Sequence, residues 1–399
     1  MSGPLRVLCI DMGTGKGGAS RSLLMSLARI DQKKIHPVVW GRSNNALQSN
    51  YAGLGISFRA IPDMPVFRAL PEFLLSIIDL GKGLLTWFRH RTDLKVLAKA
   101  IGENFDLVHL NHEGLFLLAW ALKRNRLGVP IVMHMRTNCH DTILARWQMR
   151  QISRLADHLV FITENEESTF KRLGGTASGT VIYNIAELPA GEIRPHPAIP
   201  ADDRFKVMVL SVYSWLKGID RAIDIARALA AIGRRDILFV MAGDMRVSGK
   251  APGLLGAISN QKGTLEDYAR ECHVSDMFQF LGHVRIPEEA ILACDLVLKP
   301  TRENNPWGRD HIEALACARP VMSVGWWSKF VETGVTGVLL NPFDPVVAAE
   351  WIVRMADDRK FILDMGKAGQ ERIREMCSGV ARAADLAGLW KAVSLKIAA

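Results

Sequence analysis

Residues 294–321 read CDLVLKPTRENNPWGRDHIEALACARPV. The apolar run Leu296–Leu298 has the character of a strand, and the asparagine- and proline-bearing stretch after it that of an irregular loop. A helix is expected to begin near Trp307–Gly308 and to stop before Pro320, with a further apolar strand at Val321–Ser323. Strand, loop, helix and strand in that order form the unit of a parallel sheet flanked by helices.

The same alternation runs outward in both directions. Strands are expected near Arg6–Ile10, Pro37–Trp40, Ile56–Ala60, Leu107–Leu110, Ile131–His134, His158–Ile162 and Val181–Tyr183. They resume at Lys206–Leu210, Leu238–Met241, Phe278–Leu281 and Val338–Leu340. Between the two runs, residues 187–204 (ELPAGEIRPHPAIPADDR) carry Pro189, Pro195, Pro197 and Pro200. Proline blocks helix interiors and central strands, so this stretch reads as a linker. The expected fold class is α/β, with two Rossmann-like, doubly wound domains facing each other across a cleft. Residues 1–190 form the first, 191–204 the linker and 205–375 the second. A C-terminal helix at 376–399, with Leu386, Leu389, Val393 and Ile397 on one face, can cross back to the first domain. In open parallel sheets, ligands bind at the carboxyl ends of strands.

Composition sets the bounds. A chain of 399 residues is too long for one ordinary core and suits two domains of roughly 200 residues each. Six cysteines (Cys9, Cys139, Cys272, Cys294, Cys317, Cys377) show no paired spacing. That argues against a disulfide framework and a zinc site and fits a reducing compartment. The net charge of +9 favours anionic partners. Without a long basic block or an RNA-binding aromatic signature, nucleic acid is not expected as a partner. LRVLCI near the N-terminus reads as a buried strand rather than a signal peptide. No stretch approaches the ~20 apolar residues that span a bilayer. A cytoplasmic location is expected, with peripheral contact at the inner face of the membrane left open.

Residues 11–21, DMGTGKGGASR, place Gly13, Gly15 and Gly18 at the spacing G-x-G-x-x-G. Such a loop lets the backbone approach a phosphate at a helix N-terminus. A tight strand-to-helix turn is the plainer alternative. A Walker loop fails because Lys16 is followed by Gly17, and a dinucleotide site lacks its acid because the second strand ends at Arg42. In the second half, LSVYSWLKGID (210–220) sets Lys217–Gly218 at a strand-to-helix turn, where a lysine can face a diphosphate. A solvated lysine fits equally well. ILFVMAGD (237–244) ends at Gly243, and FQFLGHV (278–284) carries His283 and Val284 into a third loop. Free N–H groups at the start of the Trp307–Gly308 helix can hold an anion. Glu313, in the second turn, can accept two hydrogen bonds from vicinal ribose hydroxyls, or stand as an exposed helix-surface acid.

Taken in order, these loops resemble the GT-B glycosyltransferases of family 4, a retaining group with many bacterial polysaccharide and lipid glycosyltransferases. The resemblance covers nearly the whole chain. It implies that Glu313 binds the nucleotide ribose and Lys217 the donor diphosphate. Gly17 and Gly18, with Gly15 beside them, would approach the diphosphate from the first domain. Trp307, Gly308, Arg309 and Asp310 would contact sugar and phosphate through their backbone, and Gly243, His283 and Val284 complete the implied donor set.

Three positions depart from the family pattern. The first glutamate of its Glu–seven residues–Glu motif aligns with Asn305, and Glu303 lies two residues earlier. An arginine usual five or six residues before the lysine is replaced by Val212 or Ser211, which leaves Arg309 or Arg302 as substitutes. Where the family often has a histidine after the fifth strand, PIVMHMRTN places Arg136, with His134 two residues before it on the same strand face. Arg136 is the stronger catalytic candidate beside Lys217 and Asn305; a packed His134 is the alternative to a catalytic one.

The resemblance implies transfer from a UDP- or GDP-linked sugar to a saccharide or lipid-linked acceptor in cell-surface polysaccharide or glycolipid synthesis. No cofactor is expected beyond this co-substrate. No Asp-x-Asp occurs, in keeping with a metal-independent reaction. Residues 66–99 combine apolar residues with Arg68, Lys82, Arg89, Arg91, Lys95 and Lys99. They suit either an amphipathic contact with an anionic membrane or two helices packed on the first sheet. A degenerate, non-catalytic nucleotide-binding protein and a dinucleotide-dependent oxidoreductase or epimerase are the competing functions.

Overall fold

A computed structural model of the chain describes residues 3–15, 17–43, 46–187, 193–247 and 251–398, with side chains to residue 395. Lys16, Pro189 and the Ile397 side chain therefore lie outside the described residues. The chain divides into two compact units, residues 1–185 with 379–399, and residues 186–378.

The first unit contains β1 (Leu5–Asp11), α1 (Gly18–Leu27), β2 (Ile35–Gly41), α2 (Gln48–Gly53), β3 (Phe58–Ala60), α3 (Phe73–Arg89), α4 (Arg91–Asn104) and β4 (Leu107–Leu110). It continues through α5 (Phe116–Arg124), β5 (Ile131–Met135), α6 (Ile143–Leu155), β6 (His158–Phe161), α7 (Glu164–Arg172) and β7 (Gly179–Val181). The strands pair in parallel in the order β3-β2-β1-β4-β5-β6-β7. Side chains alternate across the sheet, so Leu8 and Ile10 join one core and Val7 and Cys9 the other. Both faces are covered, which is why these strands read as continuous apolar runs.

The second unit contains β8 (Phe205–Leu210), α8 (Arg221–Ala231), β9 (Ile237–Ala242), α9 (Gly253–Asn260), α10 (Leu265–Glu271), β10 (Phe278–Gly282), α11 (Pro287–Leu292) and β11 (Leu296–Lys299). After these come α12 (Arg309–Ala316), β12 (Val321–Val324), β13 (Gly337–Leu340), α13 (Pro345–Asp357) and α14 (Arg359–Met376). Its parallel order is β10-β9-β8-β11-β12-β13. Apolar residues of α8 and α13, among them Ile223, Leu229 and Ile352, close over Phe205, Val207 and Val209 of β8.

The expected strands are all present, displaced by a residue or two at their ends. The proline-bearing stretch is no free linker in its described part. Its Ile199 is buried, His196 N–H donates to Glu289 O at 3.0 Å, and Gln279 reaches Ala198 O, so it lies on the second unit. The C-terminal helix α15 (Gly379–Ala398) belongs to the first unit. Its Leu386, Trp390 and Val393 are buried beside Leu23 and Leu27 of α1.

Candidate active site

In each sheet the strand order reverses once, between β1 and β4 and between β8 and β11. Connections leave such a point toward opposite faces and open a crevice at the carboxyl ends of the strands. The functional candidates gather at these two places, each within its own unit.

In the second unit the loops after β8 and β11 are built into one another. Arg302 donates to both Asp220 oxygens at 2.8 and 2.5 Å and to Trp215 O at 2.8 Å. Its guanidinium lies 3.4 Å from the centroid of the Trp215 ring. Arg302 N–H bonds Leu216 O at 2.9 Å, and Arg221 donates to Pro300 O and Thr301 O. Gly218 has φ +63°, and a Cβ there would collide with Pro300 O, so only glycine fits beneath the loop. Lys217 is thereby held at the loop tip, exposed. Partial desolvation by the surrounding loops lowers its pKa below the ordinary 10.5; Asp310 and Glu303 pull upward, while Lys299 adds to the lowering.

Lys299, at the end of β11, donates to Trp307 O at 2.7 Å and faces Asp310 Oδ1 at 3.4 Å. Burial alone would raise the Asp310 carboxyl, but Lys299 and His311 outweigh it and hold it well below the usual range. His311 is fully buried, which keeps its ring neutral, and its Nδ1 lies 3.1 Å from Asp310 Oδ1. Gly308 takes φ +136° as the N-cap of α12, where a Cβ would meet Asp310 Oδ1 and Lys299 Nζ at 2.8 and 3.1 Å. The N-cap Gly308 has no side chain to cap this helix, and Asp310 Oδ1 accepts the first-turn His311 N–H at 3.1 Å; the helix start carries partial positive charge. Trp307 is buried edge-to-face against Trp327.

Glu313 is buried at 7% exposure, which excludes the exposed helix-surface acid. Arg309, one turn earlier, pairs with it at 2.7 Å. Neither proposed substitute for the family's arginine stands free for that role: Arg302 clamps the Lys217 loop and Arg309 holds Glu313. Asn305 and Glu303 lie together, Asn305 Nδ2 being 3.4 Å from Glu303 Oε2. Asn305 Oδ1 is buried with no partner among the described residues. Gly243 bonds Gly282 O through its N–H at 2.7 Å, which ties the ends of β9 and β10. Beyond them His283 is exposed and Val284 buried.

In the first unit Gly17 caps α1 without a side-chain bond, Gly18 opens the helix and Gly15 is buried at φ +84°. Asp11, at the end of β1, accepts Gly13 N–H at 3.2 Å and Asn111 Nδ2 at 3.3 Å. Arg136, just past β5, donates to Asn111 Oδ1 at 2.5 Å and Asn184 Oδ1 at 2.8 Å. Its main-chain N–H bonds the buried Glu113 at 2.8 Å. His134 is different. It is buried edge-to-face against His109, and neither ring nitrogen has a partner among the described residues. Burial, with Arg136 adding to it, pushes its pKa well below 6.5. His134 is thus a packed residue and does not share the exposure of Arg136.

Sequence reasoning missed Lys299, Asp11, Asn111, His112 and Glu113. The available signal was position, since each stands at or just beyond the carboxyl end of a central strand. Among the described residues no group of three or more His, Cys, Asp or Glu is placed to hold a metal ion.

Family models match both halves of the chain. Residues 17–184 match the glycosyl transferase 4-like domain, and residues 191–372 match glycosyl transferases group 1. The chain belongs to the group 1 glycosyltransferases. Among curated relatives of this enzyme is the alpha-D-kanosaminyltransferase of Streptomyces kanamyceticus, 26% identical over 84% of this chain and 89% of that one. The D-inositol 3-phosphate glycosyltransferase of Thermobispora bispora is 26% identical over 74% and 69%. Anabaena HepE, solved in complex with UDP and glucose, is 19% identical at a TM-score of 0.73, covering 97% of this chain and all of that one. The sucrose-phosphate synthase of Thermosynechococcus elongatus is 18% identical at 0.72, covering 99% and 100%. These likenesses show that the glycosyltransferase has the GT-B fold.

Proposed function

We propose that this glycosyltransferase moves a sugar, with retention at the anomeric carbon, from a UDP- or GDP-linked donor to a saccharide or lipid-linked acceptor in cell-surface polysaccharide or glycolipid synthesis. The observation that carries the reading is the β8/β11 crevice. It brings Lys217, the start of α12 and the buried Glu313 to the carboxyl ends of neighbouring strands. Glu313 accepts the ribose hydroxyls. Lys217 and the α12 N–H groups take the diphosphate, whose negative charge grows as the glycosidic bond breaks. These groups supply the charge a metal supplies elsewhere, and no cofactor is needed beyond the co-substrate. Asn305 Oδ1 and the Glu303 carboxylate orient sugar hydroxyls and offset positive charge on the sugar. Arg136 is the catalytic candidate of the first domain.

Helix α3 supports a lipid-side location. Leu74, Ile78, Leu85 and Phe88 are all exposed and fall on one helical face, with Ile77 beside them and Lys82 and Arg89 flanking. Arg91, Lys95 and Lys99 of α4 are exposed too. Only Ser76 and Gly83 of α3 are buried. An apolar stripe flanked by cations suits an anionic leaflet. No helix among the described residues is long and apolar enough to cross a membrane.

The test is a transfer assay with a panel of UDP- and GDP-sugars, read by NMR for product and anomeric configuration, with and without phosphatidylglycerol vesicles. Turnover with retention and co-flotation are expected. Nucleotide binding without any turnover would favour a degenerate binding protein, and recovery wholly in the soluble fraction would remove the membrane contact.

A further inference from the structure

We propose that the exposed indole of Trp326 is a platform on which a pyranose ring stacks during transfer. The proposal rests on the glycosyltransferase reading and adds a sugar-binding residue outside the implied donor set. The loop after β12 reads GWWSKFV, residues 325–331. Its two tryptophans have opposite surroundings. Trp327 is buried, its ring centroid 5.7 Å from that of Trp307 and 4.8 Å from that of Phe330, edge-to-face in both cases. Trp326 is 63% exposed and, among the described residues, is the only exposed one of the chain's ten tryptophans. Its indole has no ring partner and its Nε1–H no acceptor among the described residues.

Single exposed apolar side chains are ordinary on a protein surface. Two observations set this one apart. The first is place. Residues 325, 326 and 327 are each joined to the loop after β11. A Cβ on Gly325 would collide with Asn304 Oδ1 and Pro306, Trp326 N–H donates to Asn304 Oδ1 at 3.0 Å, and Trp327 packs on Trp307. Asn304 stands between Glu303 and Asn305, the pair that orients sugar hydroxyls in the proposed reaction. The second is rigidity. Gly325 takes φ +143°, and its N–H bonds Leu340 O at 3.0 Å, which ties the loop to β13. The buried Trp327, Phe330 and Val331 anchor its far side. A ring carried on a fixed backbone loses little freedom when a ligand covers it.

The chemistry that fits is carbohydrate. One face of a pyranose presents C–H bonds with partial positive charge, and the face of an indole is electron-rich. The Glu303 carboxylate and the Asn305 amide oxygen can take the hydroxyl edge of such a ring while Trp326 covers its apolar face. Along the sheet edge the order is Lys217 after β8, Glu303 and Asn305 after β11, and Trp326 after β12. A ring stacked at the outer end of this row belongs either to the donor sugar or to an acceptor saccharide.

Calorimetry on the full chain separates the two. UDP, UDP-glucose, GDP and GDP-mannose are the donor probes, and maltose added to nucleotide-saturated protein is the acceptor probe. Wild type, Trp326→Phe and Trp326→Leu are compared, with equal urea midpoints expected because the side chain is exposed. Trp326→Leu is expected to weaken at least one sugar-bearing probe about five- to tenfold, the loss typical of one aromatic stacking contact, and Trp326→Phe to lose less. UDP and GDP should bind all three proteins alike. Loss with a sugar nucleotide assigns the donor ring, and loss with maltose an acceptor ring; both support the proposal. It is overturned if no sugar-bearing probe binds, if Trp326→Leu binds them all as the wild type does, or if UDP and GDP weaken as much as their sugar conjugates. Absence of UDP and GDP binding in the wild type would defeat the donor reading instead, and the maltose titration without nucleotide still decides the platform.

Discussion

The Asn305 side-chain amide lies 3.4 Å from the Glu303 carboxylate, so the two candidates for the family's first glutamate share one location. The carboxylate enters that location from two residues upstream, and Asn305 contributes a buried carbonyl oxygen. Glu303→Gln is therefore expected to lower kcat/KM by about 10- to 100-fold, the range for losing a charged hydrogen-bonding group. Asn305→Asp should keep measurable activity. Full activity in Glu303→Gln with loss in Asn305→Ala would reverse the assignment.

Partial desolvation by the surrounding loops shifts the Lys217 pKa below that of an ordinary lysine. A bound diphosphate favours the charged form, so nucleotide affinity should fall as pH rises through the lysine's depressed pKa. Lys217→Arg stays protonated throughout and should lose this alkaline limb. Calorimetric titrations across pH 7 to about 10 check it, and an identical limb in Lys217→Arg would assign the titration elsewhere.

Arg302 and Asp220 form a mostly buried pair, 17% and 5% exposed, stacked on Trp215. Removing one partner leaves the other charge uncompensated, so Arg302→Ala should cost about 3 kcal/mol or more of stability. Arg302→Lys should recover only part, since lysine has neither the fork nor the planar stacking face. Urea denaturation measures both, and a loss below about 0.5 kcal/mol in Arg302→Ala would show that the clamp contributes little.

Much of this was legible in the chain itself. Parallel strands covered on both faces are short, almost wholly apolar and end at or just before glycine or polar residues, as β8, β9 and β11 do, with Lys206 the exception inside β8. The helix start at Gly308 was readable because a glycine follows a proline-bearing loop and precedes a helix-length run that ends before Pro320. Pairings were not readable. That Arg302 turns back to Asp220, 82 residues away, depends on two loops meeting at the switch point. That Arg309 covers Glu313 depends on which face of α12 is buried. His134 and Arg136 shared a strand face on paper, yet β5 ends at Met135, so the second escapes the sheet while the first stays inside it.

His134 carries an acid-stability signature. Its folded-state pKa lies well below 6.5, and burial brings His109 to about 3. The unfolded chain then binds more protons below pH 6.5, so stability falls as pH drops from 6.5 toward those values, by about 1.4 kcal/mol per pH unit for each histidine. Among the described residues both His134 ring nitrogens lack partners, so His134→Leu should be neutral or stabilising at pH 7 and should flatten this slope. Urea midpoints between pH 7 and about 4 measure it. Strong destabilisation of His134→Leu at pH 7, or an unchanged slope, would contradict the packed assignment.

The central claim is that nucleotide is held at the start of α12 with Glu313 on the ribose. The most direct measurement is calorimetric affinity for UDP and GDP in the wild type, Glu313→Gln and Glu313→Ala, each confirmed folded by circular dichroism. At least one nucleotide should bind the wild type. Glu313→Ala should bind it at least about tenfold more weakly, with Glu313→Gln between the two. Binding of neither nucleotide, or equal affinity in a folded Glu313→Ala, would contradict the account.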